Sequence, residues 1–290
     1  MNDVGAKMKF DEIGYWSEMK LEIIKKYASK YSLIIENQRK NGICLEQIYI
    51  DAFAGGGFHI AKETREVVQG SPMVALKVEP PFRSLHFVDL DGDKADQLRG
   101  LTAGMPAVHV YHGDCNDILL TQILPHARYD DYKRALCLLD PYGLHLNWQV
   151  IKTAGEMGSV EVFLNFPVMD MNRNVLWANP SGVDPEDVTR MTNFWGDESW
   201  KDVAYDSRQD LFGHPEKQSN DVIAKAFQER LRSIAGFRFV PKPLAMKNSV
   251  GSIVYYLFFA SPNRTGGKIV EEIFAKYKNR GGAHGRKIPH

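Results

Sequence analysis

Three consecutive glycines follow a short apolar run that ends in a carboxylate: Tyr49-Ile50-Asp51-Ala52-Phe53-Ala54-Gly55-Gly56-Gly57. Glycine removes the side chain where backbone must approach another group closely. A strand that runs straight into glycines marks the rim of an open α/β sheet. Ligands of such sheets bind in the crevice beyond the carboxyl ends of the strands.

The rest of the chain fits that sheet. Apolar runs at 48–53, 85–88, 108–111, 136–139 and 160–166 predict five strands, most of them apolar on both faces. Such strands are covered by helices on each side. Helical or turn-rich segments at 72–78, 91–101, 115–123 and 148–157 separate them. This alternation predicts right-handed βαβ units and a mainly parallel, doubly wound sheet. Two further runs, 237–240 and 253–260, are joined by a segment too short for a helical crossover, so they pair antiparallel. The expected fold is therefore a Rossmann-like α/β domain, a seven-stranded sheet closed by one antiparallel strand pair.

Residues 15–38 predict a helix in front of the sheet, with Trp16, Met19, Ile23, Tyr27, Tyr31 and Ile34 recurring every three or four positions. That stripe reads first as packing. The alternative places Trp16 or Lys20 at the border of a cofactor or substrate site. The interval 168–220 is longer than an ordinary connection, and long insertions commonly form lids or substrate-binding elements. Helices are expected at 221–233 and 267–277, and a mobile basic tail at 278–290.

Composition narrows the class. Hydrophobic residues make up 44% and charged residues 25% of 290, ordinary for a globular chain expected to be one elaborated domain. Lys plus Arg (36) equals Asp plus Glu (36), so net charge gives no argument for a polyanionic partner. No apolar run approaches the ~18 residues of a membrane span. The first ten residues lack the apolar core of a signal peptide. Cys44, Cys115 and Cys137 have neither disulfide nor zinc spacing, which leaves a cytoplasmic setting as the expectation.

The candidate site is a row of acids. Asp51 ends the first strand, Asp89 the second and Asp140 the fourth, while Asp114 follows the third. Each alone could be a helix cap or turn residue. Together on one rim they concentrate negative charge that a cationic cofactor would offset. Asp89 is placed to accept from ribose hydroxyls and Asp114 from an adenine amine. A sulfonium suits this rim, whereas a pyrophosphate would be repelled.

The pattern Asp51-Ala52-Phe53-Ala54-Gly55-Gly56-Gly57 resembles the cofactor motif of class I methyltransferases. Asp140-Pro141-Tyr142 is similar to the D-P-P-Y motif of enzymes that methylate exocyclic amines of bases, with one proline missing. Residues 15–280 resemble the three-Cys-motif partner protein family, through Lys20 in its helix, Gly70-Ser71-Pro72, Asp140-Pro141-Tyr142-Gly143, Val162-Phe163-Leu164-Asn165-Phe166, and Phe194-Trp195-Gly196-Asp197 with Trp200. The resemblance implies a methyltransferase-like fold, S-adenosylmethionine as cofactor and a radical-S-adenosylmethionine-like partner protein that carries the three cysteines. It implies that Asp51, Phe53, Ala54, Gly55, Gly57, Asp89 and Asp114 bind the cofactor. Asp140, Pro141 and Tyr142 would then meet a nucleic-acid amine, with Asn165 and Lys20 on the substrate side.

Three other features leave alternatives open. The glycine loop continues through 58–69 before a helix that Ser71 is expected to cap, with Pro72 in its first turn. Arg173, Arg190, Lys201 and Arg208 with Trp177, Trp195 and Trp200 could contact phosphates and stack bases, although a small satellite core is the preferred reading. A methyltransferase-like scaffold without catalysis is the main rival function. Cytosine-C5 methylation is rejected, because Cys115 lies in the wrong loop.

Overall fold

A computed structural model describes residues 10–209 and 215–278. The expected tail, Lys278 apart, and residues 1–9 lie outside the described residues, as does the Arg208 side chain. The first half of the chain runs β1 (Asp11–Ile13), α1 (Tyr15–Lys40), β2 (Glu46–Asp51), β3 (Phe58–Ala61), β4 (Val67–Gln69), α2 (Ser71–Ala75), β5 (Ser84–Asp89), α3 (Gly92–Leu101), β6 (Val108–His112), α4 (Cys115–Ile118) and β7 (Lys133–Leu139). The second half runs α5 (Trp148–Glu156), β8 (Val160–Phe166), α6 (Val168–Asn174), α7 (Pro185–Trp195), α8 (Trp200–Ala204), β9 (Tyr205–Gln209), β10 (Pro215–Lys217), α9 (Asn220–Ser233), β11 (Leu244–Lys247), β12 (Ile253–Ala260) and α10 (Arg264–Tyr277).

Seven strands form the main sheet in the order β11-β12-β8-β7-β2-β5-β6. The pairs β7–β8, β2–β7, β2–β5 and β5–β6 are parallel, whereas β12 runs antiparallel to both β8 and β11. Strand alternation sends successive side chains to opposite faces. Ile48, Ile50, Ala135, Cys137, Leu139, Val162 and Leu164 face α5, α7 and α9. Tyr49, Leu136, Leu138, Phe163, Leu257 and Phe259 face α1 and α10.

The closing antiparallel pair is present, but its sixth strand is Leu244–Lys247 and not 237–240. Phe237 and Val240 are buried, and Phe239 makes only an isolated bridge to Ser261. Pro241 and Pro243 follow without backbone donors, which stops that run from pairing further. The expected detour at 58–69 is a hairpin, β3 with β4, and β1 adds to β3 in parallel. Ser71 does not cap α2: Gly70 occupies the cap in extended conformation, and Ser71 is buried inside the first turn. The last helix starts three residues earlier than expected because Asn263 caps it, accepting from the Thr265 N–H at 2.8 Å.

The 168–220 interval packs onto the core, and its Asp170 comes close to Gly143 beside Asp140. The interval folds into α6, α7, α8 and a short hairpin whose Met171, Met191, Phe194, Trp195 and Trp200 join the main core. Phe227 of α9 is the hub, with ring centroids 4.7 Å from Phe166, 5.4 Å from Trp195 and 5.6 Å from Phe194.

An acid near the amino end of β8 is buried in the sheet. Glu161, 7% exposed, accepts hydrogen bonds from the Tyr27 hydroxyl and, at 2.8 Å, from the Ser261 hydroxyl. A Cβ at Gly266 would lie 2.6 Å from both Glu161 Oε1 and Tyr27 Oη, so only glycine lets α10 close over this group. Burial raises the Glu161 carboxyl to about 7, with Tyr27 and Ser261 pulling it back.

Two measurements check this packing. Phe227→Ala lowers stability by about 3–5 kcal/mol in urea denaturation, the usual cost of emptying an aromatic core position. A carboxyl held above its unfolded range stabilises fully below its unfolded pKa, and that stability is lost as pH rises through about 7. Wild type should therefore lose stability relative to Glu161→Gln between pH 5 and 7, with a slope of up to about 1.4 kcal/mol per pH unit. A constant difference over that interval would contradict the assignment.

Candidate functional site

The site lies at the carboxyl ends of β2, β5, β7 and β8. The order of the chain through the sheet reverses between β2 and β7, the switch point at which open α/β sheets leave a crevice. Asp51 ends β2 there and is fully buried. Its Oδ1 accepts the Phe53 N–H at 3.3 Å. Burial raises the Asp51 carboxyl to about 7, opposed by hydrogen bonding from Ser71 and Phe53. The Ser71 hydroxyl still leaves Oδ2 without a well-formed hydrogen bond.

The glycine loop turns on Gly55 (φ +65°) and Gly57 (φ +92°), a backbone region that other residues enter only with strain. Asp89 holds it: Oδ2 accepts the Gly55 N–H at 2.7 Å, while Oδ1 accepts the Asp91 N–H at 2.8 Å. Ala54 is buried and donates its N–H to the Val88 carbonyl at 2.9 Å, while Phe53 is half-buried. From α3, the Gln97 amide donates to the Gly56 carbonyl at 2.8 Å.

Asp140, at the end of β7, is the meeting point of three predicted residues. Lys20 of α1 forms an ion pair with Oδ2, and the Asn165 amide at the end of β8 donates to Oδ1 at 2.9 Å. Lys20 is 6% exposed and lies 5.6 Å from the centroid of the Tyr255 ring. Pro141 is buried and Tyr142 is 90% exposed, so the ring stands free beside the site. Gly143 (φ +66°) passes close to Asp170, whose Oδ2 would lie 3.0 Å from an added Cβ.

The four acids do not form one uniform negative rim. Asp51 and Asp140 act on one another electrostatically, but Lys20 neutralises part of that charge. Asp89 is engaged by the loop. Asp114 is exposed and caps α4, accepting the Asn116 N–H at 2.9 Å. Charge on the rim is thus lower than the row of acids implies. What the rim concentrates is unmet hydrogen-bonding capacity. Asp51 Oδ2, His59 Nδ1, Asn165 Oδ1 and Asp170 Oδ2 are buried and without partners among the described residues. Buried polar atoms without partners are uncommon and costly. A polar ligand with donors would fit the three carboxylate and amide oxygens, His59 Nδ1 could meet a further polar group, and the backbone bared by Gly55 and Gly57 lies alongside.

His59 and Asp170 lie at the site although no motif pointed to them, and Ser71, quoted only within Gly70-Ser71-Pro72, lies beside Asp51. His59 sits on β3 against the glycine loop, its Cε1 3.8 Å from a Cβ at Gly55 and its Nε2 3.0 Å from one at Gly70. Desolvation lowers its pKa, and both Lys20 and Asp140 act on it. The only signal was the length of the detour after the glycines.

Other expectations fare differently. Trp195 and Trp200, at 1% and 4% exposure, are core residues and cannot stack on bases. Arg190 and Lys201 pair with Asp187 and Glu198, while Arg173 and Trp177 are exposed. Trp16 packs over Gly14 and gives its carbonyl to the Tyr255 hydroxyl at 3.2 Å. Burial pushes the Cys115 thiol up to about 12, which suits a core position and not a nucleophile. No helix among the described residues is long and apolar enough to cross a membrane.

The strand order with its reversed last pair, and the glycine loop at the switch point, define a class I methyltransferase fold. No protein-family model and no curated protein matches the chain, so the likeness to the three-Cys-motif partner family stands on its motifs alone. Among solved structures, a Legionella pneumophila protein aligns over 92% of this chain and 94% of its own at TM-score 0.53 and 12% identity. A proposed methyltransferase of Thermobifida fusca aligns over 85% and 79% at TM-score 0.43 and 13% identity. A S-adenosylmethionine-dependent methyltransferase of Leishmania major aligns over 84% and 82% at TM-score 0.36 and 12% identity. At these identities the likeness speaks of fold alone, and it rests on the first.

A double-mutant cycle probes the centre of the site. Asp140→Asn leaves a buried ammonium without its counter-charge and should cost more than an exposed pair would. With Lys20→Met it should show a coupling of about 1 kcal/mol or more in urea denaturation, as expected of groups in direct contact. Additive losses would refute the pairing.

Proposed function

We propose that the chain is an S-adenosylmethionine-dependent methyltransferase whose acceptor is an exocyclic amine of a nucleic-acid base. The observation that carries this reading is the gathering of partnerless buried acceptors around a bare glycine loop at the switch point. When bound, the cofactor supplies a methyl group on a sulfonium sulfur and leaves as a neutral thioether, so no redox partner is required. Asp51 and Asp89 would take its donor groups, Phe53 and Ala54 its flank, and Asp114 its adenine amine. Gly55 and Gly57 would let it approach the backbone.

On the acceptor side, Lys20 fixes the direction of the Asp140 carboxyl. Asp140 and Asn165 Oδ1 then receive the hydrogens of the amine, and Pro141 keeps the loop in place. The exposed Tyr142 ring offers a stacking surface for a base taken out of its helix. Because Lys20 already occupies Asp140, this carboxyl serves to orient the amine, and the gain comes from positioning.

A second reading has its own support. Both Asp140 oxygens have partners within the chain, as suits a protein that binds without transferring. In that reading it works as a scaffold with a radical-S-adenosylmethionine-like partner protein, the partner that the family resemblance implies.

Calorimetry with S-adenosylmethionine and S-adenosylhomocysteine, followed by tritiated-methyl transfer to total RNA, DNA and protein, separates the two. The enzyme reading expects binding that Asp89→Ala weakens at least 10-fold. It also expects label in nucleic acid, and an Asp140→Ala variant that keeps its cofactor affinity while turnover falls about 100-fold or more. Binding without transfer to any acceptor favours the scaffold, and no binding by folded protein sinks the site itself.

A further inference from the structure

A cavity of about 980 Å³ lies away from the glycine loop. It lies at the opposite end of the sheet, by the amino ends of β7 and β8, between α1 and the start of α10. Tyr31, Gln38, Arg134, Glu161, Arg238 and Arg264 line it. The volume is that of sites for small ligands and cofactors.

Two independent features point to what it takes. The first is Tyr31. Its side chain is 6% exposed, its hydroxyl has no partner among the described residues, and it borders the cavity. A buried hydroxyl without a partner is destabilising unless something supplies one. The second is cationic. Arg134 lies 3.7 Å over the centroid of the Tyr129 ring, while Arg238 and Arg264 are exposed at the mouth. None of the three is seen in an ion pair among the described residues, although one Arg134 nitrogen, Nη1, donates to the Lys133 carbonyl at 2.7 Å and the Tyr129 carbonyl at 3.2 Å. Of the lining acids, Glu156 lies 3.7 Å from Lys152, and Glu161 is held by Tyr27 and Ser261. The N-terminus of α10, a 14-residue helix, opens at the same mouth and adds its positive dipole end. Arg232, Arg264 and Lys268 continue the basic surface into an adjoining hollow of about 400 Å³. Ile34, Ile35, Leu45 and Ile269 give one side of the cavity an apolar wall.

We propose that this cavity is a second ligand site that takes a nucleoside phosphate, with its phosphates on Arg134, Arg238, Arg264 and the first turn of α10, and its ring against the apolar wall beside Tyr31. Guanidiniums and helix N-termini are the usual phosphate ligands. The site is separate from the glycine loop and does not depend on the chemistry there.

The test is titration of the full chain with a fluorescent ATP analogue, with S-adenosylhomocysteine saturating so that the glycine-loop site cannot account for the signal. Binding should be weakened at least 10-fold by Arg238→Glu with Arg264→Glu, and several-fold by Tyr31→Phe. Asp51→Asn and Asp140→Asn should leave it unchanged. Tyr31→Phe removes only a partnerless hydroxyl, so its unfolding midpoint in urea should not fall, which separates a ligand role from a structural one. No binding at 1 mM probe, equal loss in the Asp51 variant, or insensitivity to the arginine variants would overturn the proposal. So would tight binding of single-stranded RNA or of a protein at these arginines with none of the nucleotide.

Discussion

Burial of both faces of the sheet is the constraint from which the rest follows. Alternate residues of β2, β7 and β8 enter two apolar clusters, one against α1 and α10 and the other against α5, α7 and α9. A sheet enclosed in this way has no free face on which to place polar chemistry. Function is pushed to the strand ends, and the two ends here are differently equipped. The carboxyl end has carboxylates, glycines and partnerless acceptors. The amino end has guanidiniums and a helix N-terminus. The exception inside the sheet, Glu161, keeps its place only because two hydroxyls meet it and a glycine helix turn closes over it.

The carboxyl end is shaped as much by cancellation of charge as by charge. A row of acids suggests a field that draws in a cation. In the folded chain, burial holds Asp51 near 7, Lys20 sits against Asp140, and Asp89 spends both oxygens on the loop and the turn into α3. Recognition there would come from directed hydrogen bonds more than from bulk attraction.

What was legible in the chain was what depends on local pattern. Apolar runs ending in Asp51, Asp89 and Asp140 place three strand ends, and the glycines place the loop. Pairings across the chain were not legible: Lys20 and Asp140 are 120 positions apart, and only the packing of α1 across the sheet brings them together. The hairpin of β3 and β4 has strands of four and three residues, too short for alternation to register, and so His59 went unseen. The run 237–240 is as apolar as a strand, yet Phe237 and Val240 are core residues of a loop. Its following prolines were the available warning. Glu161 carries a signal of its own, since it is the lone charge in a strand whose other residues, Asn165 apart, are apolar.

α1 joins the two ends. Its 26 residues span about 39 Å, enough to run along the whole sheet. Lys20 reaches the carboxyl-end site, Tyr27 meets Glu161 in the middle, and Tyr31 and Gln38 line the amino-end cavity. Between Lys20 and Tyr31 the helix advances about 16 Å. Tyr27 ties the helix to the sheet, with its ring 5.3 Å from Phe163 and 4.8 Å from Phe259 in the core and its hydroxyl on Glu161. The buried acid is therefore an anchor for the helix as well as a cost to the sheet.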